Sequence, residues 1–226
     1  MKGNSYLHRK LHSLLGVLPL GGFFVEHLLT NYSAYQGGPE RFLEHVHWIH
    51  SLPLVFFLEL FLIWLPLLYH GVYGLYVAYQ SRNNVSNHGY FRNWMFMLQR
   101  VTGVITFVFV VWHVWNTRVQ IALGSVEQDA IGTQMHSIVT NPVIFGIYIV
   151  CIIAAVFHFS NGLWSFLVSW GIVVGPRAQR VTTYVTMGLF VVMSIMFILS
   201  LTAFLDDSFA AAASETASAV IGAASV

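Results

Sequence analysis

Five long apolar runs constrain this chain more than any other feature, because about 20 consecutive apolar residues are what a helix needs to cross the roughly 30 Å core of a bilayer. The runs extend roughly over Ser13 to Asn31, Pro53 to Tyr79, Trp94 to Leu123, Pro142 to Trp170 and Val181 to Leu205. The segments YQGGPE, SRNNVSNHG, GSVEQD and GPRAQR separate them with turn-forming and polar residues. Inside lipid every backbone N–H and C=O must find a partner within the protein, so runs of this kind are read as helices. Composition agrees: 57% of the residues are hydrophobic and 8% charged, against about 25% charged in soluble domains. The expected fold class is therefore all-α, an integral membrane protein with five transmembrane helices. Residues 1–205 are expected to form one transmembrane domain, and 206–226 a disordered Ala/Ser-rich outer tail.

The first run follows a basic N-terminus, as a signal peptide would. It lacks a small-residue cleavage site and carries Glu26 and His27, so it reads as a retained span. A single cysteine, Cys151, leaves no disulfide framework, no CxxCH haem attachment and no thiolate metal site, so metal chemistry falls to histidine and carboxylate. A net charge of +1 and the absence of a basic tract with interleaved aromatics argue against a nucleic-acid partner.

Charge fixes the expected orientation, since Lys and Arg are retained on the cytoplasmic side. Lys2, Arg9, Lys10, Arg82, Arg92, Arg100, Arg177 and Arg180 fall on one side, with Arg41 and Arg118 on the other. Glu26, Glu40, Glu44, Glu59, Glu127, Asp129, Asp206, Asp207 and Glu215 fall in the outer half or beyond. The N-terminus is thus expected in the cytoplasm, on a basic face suited to an anionic partner or to anionic lipid. Plain topogenesis explains the same asymmetry.

Ionisable residues within spans are costly and tend to mark function. His27, His70, His113 and His158 stand one on each of the first four spans. A lone intramembrane histidine is more often a hydrogen-bonded packing residue than a ligand. Four such residues on consecutive helices match what two bis-histidine haems require, and helix bundles build cofactor sites from facing helices. At about 1.5 Å per residue, depth pairs His27 with His113 in the outer half and His70 with His158 in the inner half. Ala154 and Gly162 flank His158 at four residues' distance, and Gly74 follows His70 by four, small residues that suit either a porphyrin or close helix packing.

His45, His47 and His50 in EHVHWIH resemble a metal cluster, but an interfacial loop near a quinone headgroup fits better, because the HxxHH spacing of membrane hydroxylases is missing. His8, His12, His88 and His136 read as surface or interface residues. Glu59 precedes His70 by eleven residues, about three full turns, which puts both on one helix face. It is the candidate proton donor to quinone, with Glu44 in the preceding loop as its rival.

The stretches RKLHSLLGVLPLGGFFVEHLLTN, YHGVYG, WHVWN and HFSNGLWSFLVSWGI followed by GPRAQR resemble the Bacillus-type di-haem cytochrome b558 anchors of the succinate dehydrogenase/fumarate reductase family. The resemblance covers about residues 5 to 205. It implies a five-helix anchor in the bacterial cytoplasmic membrane holding two b haems through His27, His70, His113 and His158. It also implies flavoprotein and iron-sulfur subunits docked on the cytoplasmic face, with menaquinone as electron acceptor. Arg9, Lys10, Arg82, Arg92, Arg177 and Arg180 would then hold the iron-sulfur subunit or balance haem propionates. Related di-haem fumarate reductases carry a glutamate two residues before the fourth-helix ligand, where this chain has Val156. Their compensating proton pathway is therefore not expected here, which would make quinone reduction electrogenic.

Four competing readings remain at this level, one of them a purely structural anchor, which would leave the four intramembrane histidines unexplained. A di-haem subunit of a hydrogenase or formate dehydrogenase would use the same histidines, and a fumarate reductase would run the reaction in reverse. A proton-coupled transporter would use His and Glu as relays and show no Soret band.

Overall fold

The computed structural model describes residues 2–82 and 84–211. Residues 212–226, with Glu215 and most of the expected tail, lie outside the described part. Among the described residues, five helical segments are long and apolar enough to cross a membrane: Tyr6–His50, Val55–Gln80, Phe91–Ala122, Pro142–Ser169 and Pro176–Ala203. A helix of 28 residues, such as Pro142–Ser169, is about 42 Å long and exceeds the apolar thickness of a bilayer. The protein is an all-α membrane protein.

In chain order the helices are α1 (Lys2–Val17), α2 (Pro19–His50), α3 (Val55–Leu58), α4 (Leu65–Gln80), α5 (Phe91–Asn116), α6 (Arg118–Ala122), α7 (Ile131–Val139), α8 (Pro142–Ser169) and α9 (Pro176–Ala203). Their ends follow local chemistry. Proline opens α8 and α9, where its missing N–H costs nothing. Asn141 Oδ1 caps α8 by accepting from the amides of Val143 at 3.0 Å and Ile144 at 3.3 Å.

Helix α2 outruns the span expected to end at Asn31. Gly37 and Gly38 leave helical geometry, Gly38 with φ 66° and ψ −156°, and Pro39 restarts the helix. The glycines break the turn, and the proline begins a new one that carries EHVHWIH as helix. The interfacial loop expected there, with Glu44 in it, is therefore a helical segment.

A second departure lies between α3 and α4, where Glu59–Trp64 is a π-helix. Each π-type turn takes in one residue more than an α-turn, which shifts the phase by about 100°. Eleven uniform α-steps consequently do not connect Glu59 to His70, and the shared face derived from them is lost.

The chain divides into two compact units. The first comprises Met1–Glu26, Leu54–Phe109 and Cys151–Ser194, the second His27–Pro53, Val110–Val150 and Ile195–Val226. In the first, Phe24 lies against Phe159 and Phe157 against Phe190, with ring centres 5.4 and 5.8 Å apart. Trp164 Nε1 donates to the Gln179 carbonyl at 3.1 Å, and Trp170 Nε1 to Ser13 Oγ at 3.1 Å.

In the second unit Phe42, Phe204 and Phe209 form a buried aromatic cluster. Thr133 Oγ1 donates to the Phe209 carbonyl at 2.6 Å, and His136 Nδ1 to that of Phe204 at 2.9 Å. Residues 206–211, assigned above to a disordered tail, are thus tied down through Phe209, which is 2% exposed.

Candidate functional site

The intramembrane histidines stand in two pairs, one in each unit. In the first unit the rings of His70 (α4) and His158 (α8) have centres 6.1 Å apart and planes at 79°. In the second, His27 (α2) and His113 (α5) have ring centres 6.0 Å apart and planes at 73°.

This spacing is what axial ligation demands. Two imidazoles bound to one metal from opposite sides, each through a bond of about 2 Å, have ring centres about 6 Å apart. Residues of both pairs therefore fit a bis-histidine haem. Among the described residues no group of three or more His, Cys, Asp or Glu side chains converges as a metal cage.

Hydrogen bonds orient the rings. His70 Nδ1 donates to the His12 carbonyl at 2.9 Å, and His158 Nδ1 to the Gln99 carbonyl at 3.0 Å. A proton held at Nδ1 leaves Nε2 free to bind a metal. Gln99 in turn is braced, its Nε2 donating to the His158 carbonyl at 3.0 Å and its Oε1 accepting from Asn161 Nδ2 at 2.7 Å. Asn161 is 3% exposed.

In the other pair, His113 Nδ1 lies 3.0 Å from the hydroxyl of Tyr148. Asn31 Nδ2 donates to the His27 carbonyl at 2.7 Å and sits 3.4 Å from the ring.

Three participants escape sequence reasoning. Glycines at positions 16 and 103 make room for the rings: a Cβ on Gly16 would overlap the His70 ring, and one on Gly103 would come within 2.7 Å of His158 Cε1. Gly74 and Gly162, expected to flank the histidines, instead accommodate His12 and Gln99. The third is His12, read above as a surface or interface residue. It is half-buried and stacks on His70 with ring centres 4.0 Å apart and planes at 11°, because α1 begins well before Ser13 and carries position 12 inside a helical turn. His136 is likewise half-buried, whereas His8 and His88 are exposed.

The remaining candidates scatter. His47 pairs with Asp129 at 2.8 Å. Glu44 is exposed, and Glu59 is half-buried at the start of the π-helix. Val156 is fully buried and offers no proton-carrying group. Of the six cations assigned to docking, Lys10 and Arg92 are engaged internally. Lys10 Nζ donates to the Ser169 carbonyl at 2.5 Å and lies 4.8 Å from the Trp170 ring. Arg92 sits 3.5 Å over Trp164 and bonds Thr183. Arg9, Arg82, Arg177 and Arg180 are exposed.

Residues 82–197 match the family described as the succinate dehydrogenase/fumarate reductase transmembrane subunit. The chain belongs to this family. It is 48% identical over 206 residues to the succinate dehydrogenase cytochrome b558 subunit of Bacillus subtilis (strain 168), an alignment covering 90% of this chain and all of that relative. As a succinate dehydrogenase/fumarate reductase transmembrane subunit, it is a membrane component of a quinone oxidoreductase. His113 and His158 fall inside residues 82–197, whereas His27 and His70 precede them.

Proposed function

We propose that this chain is the membrane anchor and electron-transfer subunit of a succinate dehydrogenase, that it holds two b haems, and that menaquinone accepts the electrons delivered by the iron-sulfur subunit. The observation that carries this reading is the pair of 6 Å histidine juxtapositions, His27 with His113 and His70 with His158. Bound haem supplies reversible one-electron transfer. The chain's own residues would hold and orient it: the four histidines provide Nε2, and the carbonyls of His12 and Gln99 and the hydroxyl of Tyr148 fix the rings of His70, His158 and His113 in turn. Support for the direction of succinate oxidation comes from the Bacillus subtilis relative, a succinate dehydrogenase subunit.

The basic asymmetry of the loops supports a cytoplasmic N-terminus. On that side the exposed Arg9, Arg82, Arg177 and Arg180 suit the iron-sulfur subunit, with the flavoprotein bound beyond it.

A dithionite-reduced minus oxidised spectrum of the purified complex, with a haem count per polypeptide, tests the proposal. Two low-spin b-type haems are expected. Replacing His70 or His158 should remove one, and replacing His27 or His113 the other; a variant lacking any of the four that keeps both haems in full would overturn the assignment.

Proton delivery to quinone is assigned to Glu59, an ionisable group within a span, with Glu44 as its rival. Glu59→Gln should lower quinone reductase activity while retaining both haems. Normal turnover at every pH would transfer the role to Glu44, to be tested by the same substitution.

A further inference from the structure

The two histidine pairs differ in what holds their rings. Both rings of the first unit donate Nδ1–H to main-chain carbonyls, those of His12 and Gln99. In the second unit the Nδ1 partner of His113 is a side chain, the Tyr148 hydroxyl at 3.0 Å. Tyr148 is 2% exposed. Its ring meets those of His113 and Trp112 edge-on, with centres 5.9 and 5.4 Å away, so the hydroxyl is held in place by packing.

With Nε2 reserved for metal, Nδ1 carries the proton, and the phenolic oxygen accepts it in a hydrogen bond. Such a bond fixes the ring's rotation and raises the basicity of the coordinating nitrogen. A more basic ligand favours the oxidised metal.

We propose that Tyr148 is a positioning residue for His113 that sets the redox potential of the haem held by His27 and His113, a role that rests on the haem assignment above. The structure offers a built-in control, because Nδ1 of His70 and of His158 each faces a main-chain carbonyl as acceptor, and the one side-chain group near them, the Gln99 amide Nε2 3.2 Å from His158 Nδ1, is a donor.

The test is a spectroscopic redox titration of the intact complex carrying Tyr148→Phe, which removes the acceptor and keeps the ring. Both haems should remain. The species that disappears when His113 is replaced should titrate at a more positive potential, by up to about 59 mV, equivalent to about a tenfold change in a one-electron equilibrium. The other haem should not move.

Unchanged midpoints for both haems, or a shift confined to the His70–His158 haem, would overturn the proposal while leaving the haem assignment standing. Absence of any b-type signal from the wild-type complex would remove both. Should Y148F shed the haem, Y148Q decides, since it restores an acceptor without the ring. Haem retention in Y148Q supports the role of the hydroxyl, and loss in both variants assigns the effect to ring bulk and overturns it.

Discussion

At the scale of single residues, the missing side chains at Gly16 and Gly103 matter as much as the histidines they face. A methyl group at position 103 would stand 2.7 Å from His158 Cε1, too close for the ring to stay where it is. Gly103→Ala is expected to displace that ring, lower occupancy of its haem and cost about 1–3 kcal/mol, the usual penalty of overpacking. Gly146→Ala, where a Cβ meets nothing within 4 Å, is the matched control and should leave haem content and thermal unfolding unchanged. Haem per polypeptide and melting of the detergent-solubilised complex separate the two. The histidines were legible in the sequence because an ionisable residue in an apolar run stands out by type alone. Gly16, Gly103 and His12 were not, since their contacts depend on the register between helices distant in sequence, and glycine in a membrane span is common for packing reasons.

At the scale of elements, five spans were legible from apolar length, and the errors cluster where the backbone leaves the α-helix. The Gly37–Gly38 break and Pro39 form the turn their residue types predict, but the chain resumes as helix instead of loop. Nothing in ELFLIW announces a π-helix, so the α-helical spacing of Glu59 and His70 in the sequence misplaces their relative phase. The Ala/Ser composition of the C-terminal end hides its turn, because one residue, Phe209, anchors it. Asp206 contributes to that turn: Oδ1 accepts from the Ser208 amide at 2.8 Å. Its carboxyl is held below the ordinary aspartate range by that backbone bond first, then by the Ser208 hydroxyl, with His136 adding least. A depressed pKa stabilises the folded form above the unfolded value of about 4, and the contribution is lost as pH falls through the lower folded value. Amide protection of residues 208–211 should therefore drop as the pH is lowered below about 4, and Asp206→Asn should abolish that dependence.

At the scale of the whole molecule, docking to the soluble subunits is expected to rest on Arg9, Arg82, Arg177 and Arg180 acting together. Exposed pairs contribute about 0–1 kcal/mol each, so single charge reversals should leave the complex intact. Reversal of all four should release the iron-sulfur subunit at moderate salt, measurable by co-purification across an ionic-strength series. Lys10→Ala should act differently, through lost packing on Trp170 and the Ser169 carbonyl, and show little salt dependence. The uneven anchoring of the histidines also bears on how such proteins diverge. No substitution at positions 12 or 99 deletes a peptide carbonyl, so the main-chain acceptors facing Nδ1 of His70 and His158 survive side-chain change at those two positions. The hydroxyl beside His113 can vanish with a single nucleotide change from a tyrosine to a phenylalanine codon. Selection can therefore remove the Nδ1 acceptor of one pair in a single step as respiratory conditions differ across lineages, while the acceptors of the other pair belong to the main chain.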